Sequence, residues 1–288
     1  MIGIIDVGGG ERAIYGAGVF DRCLDMGIEF DCYIGVSAGA ANQVSFISRQ
    51  RGRNYKYYTE YAHRKEYMSW NNFVRTRNYL DLDYIYSTMA NKGGEDEIDF
   101  DALKRGTSGR IFEIVSTNAN TGKPVYFSVD DMAQDDYGVL KCTCNLPIVN
   151  GAYKYKGKYY FDGGLSDPIP IKRAFELGCD KVVVILTKKR TYRRNYLQDA
   201  LMAFLIPQRP LSAVSMAKRA YVYNTQVKLC EQYEREGRVL IVAPEDTEGM
   251  LALTKERAKL DRLYERGMRD AEAIRGFIKD EKIILKTT

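Results

Sequence analysis

Histidine is nearly absent from this sequence: its 288 residues include one, His63. Histidine is the usual base for a serine nucleophile, and in α/β-hydrolases it follows both the nucleophile and the acid along the chain. His63 lies early, beside cationic neighbours, and no histidine follows it. We favour a surface or supporting role for it over a catalytic one, so a serine enzyme built on this chain would need another base.

Long apolar runs and metal-binding patterns are also lacking. No stretch approaches the ~20 apolar residues that span a bilayer, and the opening residues resemble a strand rather than a signal peptide. We therefore expect a cytoplasmic protein with reduced thiols. Cys142 and Cys144 lie too close together for an ordinary zinc pair, and no calcium-loop pattern is found. We expect neither a metal nor another cofactor.

The net charge of +5 is mildly basic but unevenly distributed, with five cations between Lys188 and Arg194. Such runs are usually solvated, and the alternative is a surface for anionic headgroups. Residues 196–206, which follow directly, predict an amphipathic helix that would suit peripheral contact with an anionic membrane. A core helix behind a basic loop explains them equally well. No nucleic-acid-binding motif accompanies the cations, so we predict no nucleic-acid partner.

Short apolar runs alternate with helical patterns in the first two thirds of the chain. Strands are predicted at 2–7, 31–36 and 181–187, helices at 13–26, 38–50, 139–146 and 171–178, and hairpins at 111–129 and 153–161. Strands that alternate with helices across short connections indicate an α/β fold. We predict a three-layer sandwich with a mainly parallel central sheet.

The last part of the sequence has a different pattern. Long helices are predicted at 211–236 and 254–279, with a strand at 239–243 between them. No clear linker separates this part from the rest. We predict a core of residues 1–190 and a mostly helical C-terminal extension, residues 191–288, packed on that core.

Ser37 is the strongest candidate for a functional residue. It lies in a Gly-Val-Ser-Ala-Gly pentapeptide, between a predicted strand and a predicted helix. Gly35 and Gly39 would permit the sharp turn that exposes a serine hydroxyl. The N-terminus of the following helix would favour a developing anion. The pattern predicts a nucleophile.

Asp162 is the best candidate for the missing base. It ends an aromatic strand and precedes Gly163 and Gly164, so its carboxylate could reach into a cleft. Burial beside aromatic side chains would raise its pKa and make it a better base. The alternative is an ordinary Asp-Gly turn.

Gly8, Gly9 and Gly10 form a third motif between the first strand and the first helix. A nucleotide phosphate loop would end in Lys-Ser/Thr, which is absent here. A dinucleotide turn would use Gly8, Gly10 and Ala13, but it leaves Ser37 and Asp162 unexplained. We favour an oxyanion hole, in which glycine N–H groups would bind a developing negative charge.

Together the motifs resemble those of the patatin-like phospholipases. The shared features are Gly-Gly-Gly-x-Arg after the first strand, Gly-x-Ser-x-Gly after the second and Asp-Gly-Gly far downstream. The resemblance covers about residues 1–190 and is greatest to bacterial cytoplasmic members with a helical C-terminal extension. One departure is Ala13, where the family pattern usually has glycine.

The resemblance implies a patatin-like fold and an acyl hydrolase with a Ser37–Asp162 dyad. Backbone N–H groups of the glycine loop and of Ala38 would hold the oxyanion, and Arg12 would brace the loop. The expected substrate is a lipid or another acyl ester. The alternative is a scaffold of this fold that binds membrane or ligand without turnover, for which a broken dyad would be the sign; both dyad residues are present.

Overall fold

One central sheet of eight strands organises residues 1–284, the part of the chain that this computed structural model describes, with side chains to residue 279. The strand order is β5-β6-β3-β2-β1-β7-β8, and β4 also pairs with β3. The strands are β1 (Ile2–Asp6), β2 (Cys32–Val36), β3 (Ile111–Asn118), β4 (Pro124–Ser128), β5 (Tyr153–Tyr155), β6 (Lys158–Asp162), β7 (Lys181–Ile185) and β8 (Val239–Val242).

The centre of the sheet is parallel and one side is antiparallel. β1 pairs in parallel with β2 and β7, β2 with β3, and β7 with β8. β4 and β6 run antiparallel to β3, and β5 runs antiparallel to β6. The predicted α/β class with a mainly parallel sheet is confirmed, as are both predicted hairpins.

Helices cover both faces of the sheet. They are α1 (Ile14–Asp25), α2 (Ala38–Ile47), α3 (Arg53–Thr59), α4 (Trp70–Thr76), α5 (Phe100–Thr107), α6 (Gly138–Cys144), α7 (Ile171–Glu176), α8 (Tyr196–Ala203), α9 (Pro210–Arg235), α10 (Arg257–Asp270) and α11 (Glu272–Ile284). Alternate strand residues face opposite sides. Ile4 and Tyr33 therefore join the core under α1 and α2, whereas Ile5 and Ile34 join the core under α7 and α9. This arrangement gives the predicted three layers.

The C-terminal part differs from its prediction in one respect. The single helix predicted at 254–279 is two helices, α10 and α11, which meet at Ala271. Contacts with α1 hold both sides of the break, because Tyr15 donates to Asp270 at 2.6 Å and Arg22 donates to Glu272 at 2.7 Å. This part of the chain also supplies β8 to the sheet. The division at residue 190 stays a prediction.

None of the helices within residues 1–284 is both long enough and apolar enough to cross a bilayer.

Candidate active site

Strand register brings Ser37 and Asp162 to the same level of the sheet. Val36 at the end of β2 pairs with Val115 of β3, and the next residue, Ser116, pairs with Asp162 at the end of β6. β3 therefore lies between the two candidates. Neighbouring strands are ~4.8 Å apart, so the two Cα atoms are separated by roughly 10 Å, within reach of converging side chains.

Ser37 occupies a strained turn between β2 and α2. Its backbone angles, φ 56° and ψ −135°, are unusual for a residue with a side chain. The turn is packed too closely for larger neighbours: a Cβ atom at Gly39 would lie 2.3 Å from the Asp6 carbonyl oxygen, and one at Gly35 would lie 2.4 Å from Ala40 Cα. The geometry has the form of a nucleophile elbow, as the sequence predicts.

Thr143 of α6 links this turn to β3 by two hydrogen bonds. Its hydroxyl accepts a hydrogen bond from the Ser37 N–H at 2.8 Å and donates one to the Val115 carbonyl at 2.5 Å. The strained residue is thereby tied to β3. Sequence analysis does not identify Thr143, because no motif marks the segment between Cys142 and Cys144.

Asp162 presents one free carboxylate oxygen. Its Oδ1 accepts from the Gly164 N–H at 2.7 Å, while its Oδ2 is buried without a hydrogen-bond partner among the described residues. Burial raises the pKa of Asp162, and the Ser37 side chain, the Gly164 N–H and Arg219 offset part of that rise. Gly163 lets β6 end here, since a Cβ atom there would lie 2.2 Å from the Val115 carbonyl oxygen. A carboxylate with a raised pKa accepts a proton more readily than an ordinary one.

The glycine loop lies against the Ser37 turn. Gly8, Gly9 and Gly10 have φ of 64°, 127° and 62°, conformations that favour glycine. A Cβ atom on Gly8 would lie 3.0 Å from the Ala38 N atom, so the loop and the start of α2 are in contact. No group among residues 1–284 accepts a hydrogen bond from the N–H of Gly9 or of Gly10.

The N–H group of Gly8 already has an acceptor in the structure. It donates to Asp6 Oδ1 at 2.9 Å, and Asn42 donates to the other oxygen of Asp6 at 2.9 Å. Gly8, predicted as an oxyanion donor, is therefore not among the free N–H donors of the loop. Gly9, Gly10 and Ala38 stay the candidate donors.

Two pockets open from Ser37. The first, here the cationic cleft, contains both dyad candidates and is lined by Arg12, Lys188, Arg194 and Arg219 among others. The second, here the tyrosine pocket, is lined by Tyr57, Tyr58, Tyr67, Tyr86, Leu80 and Leu146 with Glu11. His63 lines neither pocket.

Two arginines that are far apart in sequence, Arg12 and Arg219, line the cleft that contains Ser37 and Asp162. The Arg12 guanidinium lies against Gly9, where a Cβ atom would be 3.4 Å from Nη2, and Arg12 Nε is buried without an acceptor in the described part of the chain. Arg219 of α9 donates from Nε to the Gly164 carbonyl at 2.7 Å. Sequence analysis identifies Arg12 but misses Arg219, because nothing in the pattern of α9 distinguishes it.

The basic run between Lys188 and Arg194 is largely neutralised by carboxylates. Ion pairs join Lys189 to Asp246 (3.4 Å), Arg190 to Glu234, Arg193 to Glu231 (2.7 Å) and Arg194 to Asp199 (2.7 Å). Lys188 instead lies over the Tyr192 ring, 3.8 Å from its centroid. The run therefore offers little free positive charge to a surface outside the cleft.

The described side chains form no metal centre: within them, no group of three or more His, Cys, Asp or Glu residues is arranged to hold a metal ion.

Comparison with known proteins places this sequence in a family. The model of the patatin-like phospholipase family matches residues 7–175, and that of a domain of unknown function, DUF6363, matches residues 210–276. The uncharacterized protein YjjU of Escherichia coli (strain K12) is 32% identical over 189 residues, which are 65% of this chain and 52% of YjjU. This chain thus spans about half the length of that relative.

A solved structure also aligns with this chain. The crystal structure of VipD from Legionella pneumophila aligns with 94% of this chain and 66% of its own, with a TM-score of 0.45 and 14% sequence identity. The family match covers more than half of the sequence and includes the serine turn and the Asp-Gly-Gly segment. The chain belongs to the patatin-like phospholipase family.

Proposed function

We propose that this protein is a serine acyl hydrolase that cleaves carboxylic esters of lipids, with Ser37 as nucleophile and Asp162 as base. One observation carries the proposal: the strained serine turn shares a cleft with a buried carboxylate whose Oδ2 has no other partner among the described residues. A serine hydroxyl becomes a strong nucleophile only when an adjacent base removes its proton. In this proposal Asp162 is that base, and its raised pKa supports the assignment.

The first half-reaction forms an acyl-enzyme. Ser37 Oγ attacks the ester carbonyl carbon while Asp162 Oδ2 accepts the hydroxyl proton. The carbonyl oxygen gains a negative charge, which the N–H groups of Gly9, Gly10 and Ala38 stabilise with the dipole of α2 behind them. The C–O bond of the ester then breaks, and the leaving alcohol takes the proton from Asp162.

The second half-reaction returns the free enzyme. Asp162 removes a proton from water as that water attacks the acyl carbon, and the same N–H groups bind the second oxyanion. Ser37 leaves with the proton that Asp162 holds, and the carboxylic acid is released. The dyad thus works without a histidine, in keeping with the position of His63 outside both pockets.

Family membership supports a lipid acyl ester as the substrate. The tyrosine pocket is the more apolar of the two pockets at Ser37, because aromatic and leucine side chains form most of its wall. We assign the acyl chain to this pocket. The alcohol part of the ester then lies in the cationic cleft.

The test compares wild type with Ser37→Ala and Asp162→Asn on a short chromogenic acyl ester and on phospholipid vesicles. Exposed residues provide matched controls, Ser108→Ala and Asp101→Asn. We expect each dyad variant to stay folded and to lose about a thousandfold or more in kcat, and each control to keep wild-type rates. Turnover by Ser37→Ala would refute the nucleophile. An inactive wild type that binds vesicles would favour the binding scaffold.

We also propose peripheral contact with membranes through α8 and the residues that follow it. Leu197, Leu201, Phe204 and Leu205 are 58–79% exposed, whereas the neighbouring cations are mostly paired. Apolar insertion rather than charge should then drive binding. Flotation with anionic and zwitterionic vesicles tests this: Leu201→Gln with Phe204→Gln should reduce binding, and Val74→Gln, on exposed α4, should not. Absence of binding at low salt would refute the contact.

A further inference from the structure

The cationic cleft holds more positive charge than the dyad mechanism uses. Arg12, Lys188, Arg194 and Arg219 line it, and Asp162 is the one carboxylate that the described residues place in its wall. Arg194 is neutralised by Asp199, to which it donates two hydrogen bonds at 2.7 and 2.8 Å. Neither half-reaction uses a cationic side chain to move a proton. The charges of Arg12, Lys188 and Arg219 therefore require another explanation.

Three of these cations have no carboxylate partner among the described side chains. Arg12 Nε has no acceptor, Lys188 lies over the Tyr192 ring, and the hydrogen bond that Arg219 donates goes to a backbone carbonyl. Positive charges in a partly buried cleft are costly unless an anion accompanies them. The geometry therefore leaves a position for an anion beside the dyad.

The electrostatics of the cluster agree with this conclusion. Burial, followed by the nearby charges of Arg12 and Arg194, lowers the pKa of Lys188 to about 8. Burial and then Arg194 lower the pKa of Arg219 to about 10, and the opposing effect of Asp162 is smaller. These like charges repel one another, and a bound anion would relieve that repulsion.

The location of the cluster indicates which part of an ester carries the anion. The tyrosine pocket is lined mainly by apolar and aromatic groups, and the proposed function assigns the acyl chain to it. The cationic cleft is the other pocket that Ser37 lines, so the same assignment puts the alcohol part there. An acidic group on the alcohol part would lie among the cations while the ester carbonyl contacts the dyad.

Part of this cleft comes from outside the segment matched by the phospholipase model. Arg219 and Tyr223 are one helical turn apart on α9, and both line the cleft. They lie within residues 210–276, the part matched by the domain of unknown function. The hydrogen bond from Arg219 to Gly164 connects α9 directly to the turn that carries Asp162.

We propose that the cationic cleft is a binding subsite for an oxyanion group, a phosphate or a carboxylate, on the alcohol part of the ester, and that the C-terminal region supplies Arg219 to it. This proposal rests on the proposed hydrolase function and adds a substrate class, esters of acidic alcohols. It also gives the C-terminal region a role in substrate recognition.

Three esters with the same short acyl chain test the proposal at concentrations below micelle formation. They are 1-acylglycerol, which is neutral, 1-acylglycerol 3-phosphate, and 3-O-acylglycerate, which carries a carboxylate. We expect wild type to show a kcat/KM at least about tenfold higher for one or both charged esters, the effect of one charged hydrogen bond. The preferred ester distinguishes phosphate from carboxylate.

Variants show whether the preference arises in the cleft. Lys188→Met should reduce the charged-to-neutral ratio of kcat/KM about tenfold, Arg219→Met should also reduce it, and Lys188→Arg should restore most of it. Lys189→Met is the matched control, because Lys189 pairs with Asp246 and does not line the cleft. An unchanged ratio in Lys188→Met and Arg219→Met would overturn the proposal.

Binding to Ser37→Ala protein, measured by calorimetry, separates this proposal from the hydrolase function. Tighter binding of the acidic esters than of 1-acylglycerol, weakened by Lys188→Met, supports the subsite even if wild type hydrolyses none of them. Hydrolysis of all three esters at equal kcat/KM refutes the subsite and leaves the hydrolase intact. Inorganic phosphate that binds in the cleft while ester charge has no effect would indicate a free-anion site and overturn the proposal.

Discussion

Glu11 provides a quantitative test of the burial around the site. It follows the glycine loop, lines the tyrosine pocket and is 3% exposed, and its Oε2 has no hydrogen-bond partner among the described residues. Burial raises the pKa of Glu11 from 4.5 to about 8, although Lys255 acts in the opposite direction. Glu11→Gln removes the ionisable group and keeps the shape of the side chain.

The expected effect depends on pH with a definite sign. In the folded protein this carboxyl keeps its proton up to about pH 8, whereas in the unfolded chain it ionises at about 4.5. The contribution of Glu11 to the free energy of unfolding is therefore most favourable below pH 4.5 and falls as pH rises to 8. At ~1.4 kcal/mol per pKa unit, the loss is at most about 5 kcal/mol, of which about 3 kcal/mol is present at pH 7.

Urea unfolding at pH 5, 7 and 9 measures this difference. Glu11→Gln should be close to wild type at pH 5 and increasingly more stable at pH 7 and 9. Glu60→Gln, an exposed position just after α3, is the control and should follow wild type at every pH. A difference between Glu11→Gln and wild type that does not grow from pH 5 to 9 would show that Glu11 is ionised in the folded protein and refute the reasoning.

Two further predictions concern the serine turn. Thr143→Val leaves the buried Ser37 N–H without an acceptor, so it should lower the free energy of unfolding in urea by about 1–3 kcal/mol and reduce kcat. Thr143→Ser keeps the acceptor and should recover most of the stability and most of the kcat. Equal losses in the two variants would contradict the role of the hydroxyl. Gly39→Ala places a Cβ atom 2.3 Å from the Asp6 carbonyl oxygen and should destabilise the protein by about 1–3 kcal/mol. Gly276→Ala, on α11 where a Cβ atom meets nothing within 4 Å, should instead stabilise by up to about 1 kcal/mol, and similar values for the two glycines would contradict the packing argument.

The meeting of the glycine loop with Ser37 could be predicted from sequence. Both follow short apolar strands that precede helices, and parallel strands place their carboxyl ends at one edge of a sheet. β1 and β2 are indeed parallel neighbours. The order of strands and helices along the chain is enough to predict that the two motifs are neighbours, because short connections leave few alternative topologies.

The sequence identifies Asp162 as a candidate base but does not fix its position relative to Ser37. β6 is antiparallel to β3, so its end reaches the level of Ser37 only because Ser116 pairs with Asp162. A shift of one residue would turn the carboxylate to the other face of the sheet. Pairing register depends on contacts between distant segments, which single-segment patterns do not record.

The charge around the site is the least predictable feature. Arg219 lies 55 residues after Gly164, to which it donates, and the amphipathic pattern of α9 does not mark it. The sequence predicts a basic run that is either solvated or membrane-facing, yet most of its cations pair with carboxylates from α8, α9 and the segment after β8. Such pairing depends on tertiary structure, which composition cannot supply.

The central position of β1 has a consequence for how this protein is made. β1 pairs with β2 on one side and with β7 on the other, and the hydrogen bond from Thr187 to Gly8 spans 179 residues. During synthesis, one edge of β1 stays unpaired until β7 has been translated, and closing such distant contacts is slow. An unpaired apolar strand edge is prone to aggregation. The yield of folded protein should therefore depend strongly on temperature and chaperone supply during expression.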